Sequence, residues 1–301
     1  MRTRLIVMTL SVLAVLGGKA AAEDWRAERM EAAALPSEGF SEIGRPAPDG
    51  LPDGLVATAQ GGDIAEAWYG GPTRRYGHAI LGDAVEAGAL FARTAGGAIV
   101  TLWLPESEVF EDRTPRLADL DGDGRTEIVT IRSSLTNGAA VTIYGLEDGV
   151  LKQRATTDFI GRSNRWLNIA AIADLDGTPG LEIAHVRTPH IGGTLIVHGY
   201  RNGVLVRIAA LDGFSNHAIG SREMRLSAIL DVDGDGRVEL AVPSADRRAL
   251  RIVGLDRGRL AEIASVVVPG TIGKPVLPGS SASDPHFVVG LDNGEVYRIS
   301  R

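Results

Sequence analysis

Between residues 115 and 260 the chain alternates Val, Ile and Leu with polar residues in short runs, and glycine-rich turns separate the runs. A period of two reads as antiparallel strands with one face toward a core. Three stretches repeat one another: RLADLDGDGRTEIVTIRS from residue 116, AAIADLDGTPGLEIAHVRT from 170 and SAILDVDGDGRVELAVPS from 227. Their first aspartates, Asp119, Asp174 and Asp231, lie 55 and 57 residues apart. Each stretch continues with a second apolar run (AVTIYGL, TLIVHGY, ALRIVGL), a charged glycine turn (EDGV, RNGV, DRGR) and a further short run. The spacing predicts a four-stranded meander for each unit.

Weaker copies extend the pattern. Ile43-Gly44-Arg45-Pro46 and Ile272-Gly273-Lys274-Pro275 match each other, and HAILGD from His78 opens another candidate unit. Six units are expected, starting near residues 43, 78, 115, 168, 226 and 274. Repeated four-stranded meanders predict an all-β fold, a β-propeller of about six blades. The last unit has room for three strands, so residues 35–40 are expected to supply its fourth and close the ring between the two ends of the chain. A stacked solenoid is the alternative. Residues 23–34, rich in alanine and charge, read as a lead-in, a short helix or a flexible segment, before a single domain over 35–301.

Residues 1–22 have the layout of a secretory signal. Arg2 and Arg4 precede an apolar run over residues 5–16, and Ala20 and Ala22 are small residues before a cut at Glu23. The apolar run is short of the about 20 residues that span a bilayer. Export to the periplasm or the outside is expected, with no membrane span. The 301-residue chain has no cysteine, so core burial, metal or closure must hold it together. A net charge of −7 argues against a nucleic-acid binder.

Asp119, Asp121, Asp123 and Glu127 occupy loop positions 1, 3, 5 and 9, and Asp231, Asp233, Asp235 and Glu239 repeat them. Hard oxygen donors around a glycine-bent turn, with backbone carbonyls from Arg125 and Arg237, suit Ca²⁺. The middle loop keeps Asp174, Asp176 and Glu182 but has Thr178 in place of the third aspartate. Two calcium sites and a weak third are expected. These loops resemble the DxDxDGxxD/E signature of FG-GAP or VCBS repeats, as in the propellers of integrin α subunits and many bacterial secreted proteins. The resemblance implies a propeller with structural calcium at the residues just named and leaves the partner open.

No sequence signature of a hydrolase elbow, zinc protease, P-loop or cysteine nucleophile is present. His185 and His198 fall in strand-like runs, and His190 and His217 in turns. The turns leading into each unit, opposite the acidic loops, hold Arg74, Arg75, Arg116, Arg162, Arg165, Trp166, His217, Arg222 and Arg225, and His190 lies in a turn of the same face. Two readings stand. Either these form a basic rim that binds an anionic glycan, a small acid or another exported protein, or the arginines brace neighbouring blades. The chain therefore reads as a monomeric binding or scaffold module, with a polysaccharide lyase or hydrolase as the alternative.

Overall fold

The computed structural model describes residues 25–31, 44–279 and 284–301. The signal expected over residues 1–22 and the closing strand expected over 35–40 lie outside the described residues. Among the described residues there is no helix, and none long and apolar enough to cross a membrane. The chain is all-β, with every strand pair antiparallel.

A short strand β1 (Arg26–Arg29) precedes five meanders. The first comprises β2 (Ala57–Thr58), β3 (Ile64–Thr73), β4 (Glu86–Thr94) and β5 (Ile99–Trp103). Strand β6 (Glu108–Phe110) pairs with β4 on one side and, on the other, with the second meander: β7 (Arg116–Ala118), β8 (Glu127–Ser134), β9 (Gly138–Glu147) and β10 (Val150–Thr156). These two meanders and β6 form one nine-stranded sheet. The third meander is β11 (Leu167–Ala173), β12 (Glu182–Arg187), β13 (Thr194–Arg201) and β14 (Val204–Asp212). The fourth is β15 (Ala228–Leu230), β16 (Glu239–Pro243), β17 (Ala249–Asp256) and β18 (Arg259–Val267). The fifth is β19 (Ile272–Pro278), β20 (His286–Leu291) and β21 (Val296–Ser300), completed by β1.

The repeated turns explain the hairpins. Asp148-Gly149, Asn202-Gly203 and Arg257-Gly258 each place two residues at positive φ, the geometry that matches the twist of flanking strands in a two-residue hairpin. The outer pairs β9–β10, β13–β14 and β17–β18 each carry one register shift, at Gln153/Ala155, Val197/His198 and Ile252/Val253. A bulge at one place in each repeat increases local twist in the same way each time.

Burial follows the sequence pattern strand by strand. β8, β12 and β16 are buried almost throughout, whereas β10 and β18 alternate. A second strand with both faces covered needs a continuous apolar run, and an outer strand does not. Four apolar cores lie between consecutive meanders. One holds Tyr69, Phe110, Ile128 and Tyr144 between the first and second. The next holds Ile131, Val141, Trp166 and Ile183 between the second and third. Val186, Phe214 and Leu240 join the third to the fourth, and Ile252, Phe287 and Ile299 the fourth to the fifth. The first strands also approach one another, β2 with β7, β11 with β15 and β15 with β19.

Two expectations change. The described residues form five meanders, not six, because the runs near residues 43 and 78 belong to one. β3 and β4 pair from Ile64↔Thr94 to Thr73↔Glu86, which makes residues 74–85 their connection. Ile80 and Leu81 made that connection look strand-like; they are buried as anchors in the core between the second and third meanders. The lead-in also contains a strand. Arg26↔Ser300 through Arg29↔Tyr297 pair in register. The open edge of β21 offers backbone partners that outweigh the helical preference of an alanine- and charge-rich segment.

Candidate metal loops and the opposite face

The acidic loops follow the first strands β7, β11 and β15. In each, the apolar second residue is a plug: Leu120, Leu175 and Val232 are almost fully buried. It pins the loop while the residues on either side point outward. Gly122 and Gly124, like Gly234 and Gly236, have positive φ, so successive N–H groups turn inward onto the first aspartate. Asp119 accepts from the amides of Gly122 (2.8 Å), Asp123 (3.1 Å) and Gly124 (2.9 Å). Asp231 accepts from Gly234 (2.7 Å) and Gly236 (3.0 Å). At the far end Glu127 and Glu239 each accept from the plug residue's amide at 2.9 Å.

The result is three compact carboxylate groups: Asp119, Asp121 and Glu127; Asp174, Asp176 and Glu182; Asp231, Asp233 and Glu239. Within each, one oxygen per residue lies within 4.8 Å of the others. Oxygens so spaced fit around one cation at the 2.3–2.6 Å that calcium prefers. Without a cation the arrangement is costly. Burial pushes the Glu127 and Glu239 carboxyls up to about 7, and the neighbouring aspartate charges add to the effect. Of the other expected ligands, Asp123 and Asp235 fall outside the groups. Asp123 accepts from the Arg125 amide at 2.8 Å, and Asp235 pairs with the Arg237 guanidinium at 2.5 Å. The Arg125 guanidinium reaches Asp63 and the Leu146 carbonyl.

The middle loop differs in one decisive way. The Arg201 guanidinium, at the end of β13, donates to Glu182 (2.7 Å) and to the Thr178 hydroxyl (2.9 Å), and lies 3.6 Å from Asp176. A fixed positive charge thus sits among these carboxylates. The equivalent last residues of β9 and β17 are Glu147 and Asp256. Sequence reading noticed Thr178 and missed Arg201; the signal was a charge reversal at one repeat position, visible when the three units are aligned.

The opposite ends of the first strands carry the arginines, and most have partners. Arg116 pairs with Asp112, and Arg75 donates to the Glu108 carbonyl at 2.8 Å. Arg225 grips both oxygens of Glu223, each at 2.8 Å. Arg222 bridges Asp53 (3.2 Å) and Asp83 (2.8 Å), tying the entry to the fourth meander to loops of the first. The Gly220 amide donates to the Ile80 carbonyl at 2.9 Å across the same junction. For these arginines the bracing alternative describes the geometry. Arg74 and Arg162 are exposed, and among the described residues the Arg165 side chain bonds only to the Asn164 carbonyl. The face is also less basic than the sequence reading has it. Asp53, Asp83 and Glu86 come to it from segments that the six-unit register placed elsewhere, and with Leu51, Leu81, Asp112 and Arg113 they line a small pocket.

Arg165, Trp166 and His190 meet in a cavity of about 190 Å³ that His78 also lines. Trp166 is buried and donates its indole N–H to the Glu111 carbonyl at 2.9 Å. Its ring lies parallel to His190, with His217 edge-on. His217 Nε2 is 2.9 Å from the Ser221 carbonyl and must donate there, so its Nδ1 accepts from His190 Nε2 at 3.0 Å. Burial holds both rings neutral, down to about 3 for His217 and about 4 for His190. His190 Nδ1 therefore keeps a lone pair. His78 Nδ1 meets the fully buried Glu111 at 2.5 Å, and Ser133 donates to the other Glu111 oxygen at 2.6 Å. A carboxylate fixed at both oxygens orients the imidazole and leaves its Nε2 for proton exchange. Glu111 was not found from sequence because it stands 33 residues from His78, on the bridge between the first two meanders.

No family model matches the chain, and no curated protein matches it. Among solved structures it is similar to the rhamnogalacturonan lyase PL11 of Bacillus licheniformis, with a TM-score of 0.50 and 16% identity over 85% of this chain and 51% of that one. The rhamnogalacturonan lyase YesW (TM-score 0.47, 15% identity, 83% and 52% covered) and the exotype rhamnogalacturonan lyase YesX (TM-score 0.42, 14%, 80% and 56%) are also similar. The chain spans about half the length of these proteins. At 16% identity the likeness to PL11 is one of fold.

Proposed function

We propose that the chain is an exported, calcium-braced β-propeller of five blades that binds an anionic glycan on the face opposite its acidic loops. The observation that carries the reading is the pair of carboxylate groups at Asp119 and Asp231, set at one repeat position and lacking the internal guanidinium that the middle loop has. The resemblance of these loops to FG-GAP or VCBS repeats agrees with calcium. Converging first strands, the β1–β21 pairing and the contacts of the fourth meander's entry with loops of the first favour a ring over a stack. Export rests on the layout of residues 1–22.

The cavity lined by His78, Arg165, Trp166 and His190 is the proposed glycan site. Arg165 offers a fork for a carboxylate, and the histidines offer polar contacts to hydroxyls. Arg165→Ala should lower affinity for a galacturonate oligosaccharide without moving the melting temperature, since among the described residues the Arg165 side chain bonds only to its neighbour's carbonyl. Unchanged affinity would remove this cavity from the reading.

A second reading, a polysaccharide lyase, is favoured by the Glu111–His78 pair and by the fold it shares with PL11. In such a reaction His78 Nε2 takes the proton at C5 of a uronate, a C4=C5 double bond forms as the C4–O bond breaks, and the departing sugar oxygen takes a proton from water. Arg165 would hold the carboxylate whose charge grows. Incubation of purified protein with polygalacturonate, followed by the ultraviolet absorbance of an unsaturated uronate, separates the readings. Absorbance that appears with the wild type and not with His78→Ala establishes the lyase; none with either leaves a binding module.

A further inference from the structure

A second cleft lies on the flank of the molecule, between the second and third meanders. It has a volume of about 490 Å³, a largely polar lining, and His185, His198, Arg187 and Arg207 along one wall. His185 on β12 and His198 on β13 stack in parallel, with ring centroids 5.2 Å apart. His185 is only 3% exposed. The Nδ1 atoms of both rings are buried and have no hydrogen-bond partner. Burial, with nearby charges, holds His185 down to about 3 and His198 to about 4, so each ring is neutral and carries one N–H. Placing it on Nδ1 would bury a donor without an acceptor, which is rarer and dearer than an unused lone pair. The proton therefore belongs on Nε2, the nitrogen left to the cleft.

Arg207 lies opposite His198 on the neighbouring strand and is exposed, and its side chain has no hydrogen bond or ion pair among the described residues. Arg187 spends one bond, at 3.2 Å, on the Ile160 carbonyl. Four donors thus converge, two of them charged, against one carboxylate, Asp158, in the opposite wall. We propose that this cleft binds the carboxylate of an acidic sugar through Arg187, Arg207 and the Nε2–H groups of His185 and His198. The cleft is far larger than a lone carboxylate or sulfate needs. Asp158 accepts from hydroxyls and Phe159 offers a ring beside them, which favours a sugar acid over a bare anion.

The choice of ligand class rests on the glycan-binding reading above, but the two sites share no residue. The test is the histidine ring NMR signals of the full chain, titrated separately with a galacturonate trisaccharide, a neutral galactose trisaccharide and inorganic sulfate. The acidic trisaccharide should move the His185 and His198 signals to saturation, and Arg207→Ala should weaken that binding by roughly tenfold or more. Arg207 has no partner to lose, so its melting temperature should stay that of the wild type. Arg165→Ala should leave these signals' response unchanged, whatever becomes of the His78 cavity. The proposal is overturned if none of the probes moves the two signals, or if Arg207→Ala binds as the wild type does. A neutral trisaccharide that binds equally well overturns the carboxylate assignment, and sulfate that binds as tightly overturns the sugar.

Discussion

Arg201 shows how a single residue changes what a loop does. Its guanidinium bonds Glu182 and Thr178 and lies beside Asp176, so the carboxylates that would hold a cation already hold one. The wild type should therefore bind two calcium ions by calorimetry, not three. Thr178→Asp with Arg201→Gln should restore a third, and an unchanged stoichiometry in the double variant would show that Arg201 is not what closes the loop. Glu86 is a second residue whose surroundings have a measurable consequence. Burial, followed by the charges of Glu111, Asp83, Asp53 and Asp112, raises its carboxyl to about 9 from an ordinary 4.5. Between those values the folded chain keeps a proton that the unfolded chain releases, so stability falls as pH rises through that window. Glu86→Gln should flatten that slope, being more stable than the wild type at pH 8 and close to it near pH 4.5. Equal pH dependence of the two melting temperatures would contradict the assignment. The aspartates of the loops were legible in sequence because their geometry is local. Glu111 beside His78 and Asp83 beside Arg222 were not, because tertiary pairing sets those distances.

Single elements were legible wherever local signals agreed. From residue 116 to 267 the alternation, the two-residue turns and the strand pairings coincide, and three meanders stand where the spacing puts them. The reading failed in the first meander. Its apolar loop residues Ile80 and Leu81 imitate the start of a strand, and only the β3–β4 register shows that they belong to a connection. It failed again at β1, whose sequence favours a helix and whose conformation is set by the edge it covers. That edge yields a prediction for the element. Removing residues 23–31 should leave β21 with unpaired backbone groups, which template association with other chains. The shortened chain should form oligomers in size-exclusion chromatography and melt at a lower temperature. A monomer with the full-length melting temperature would mean that β1 is dispensable.

At the scale of the whole molecule, the chain has no disulfide and spreads its apolar burial over four cores between consecutive meanders. Each core joins two consecutive meanders, so the meanders depend on one another. The acidic loops sit where the first strands end, and a cation there would neutralise carboxylates that the fold itself has crowded together. A ligand that binds only the native state stabilises it by about 2.7 kcal/mol at a hundred times its Kd. For a chain longer than 150–250 residues, each kcal/mol moves the melting temperature by roughly 2–4 °C or somewhat less. The most direct measurement is the melting temperature of the full chain in calcium and in chelator, beside Asp121→Asn with Asp233→Asn. The account predicts a rise of several degrees in calcium that the double variant loses. Equal melting temperatures for the wild type in calcium and in chelator would contradict it.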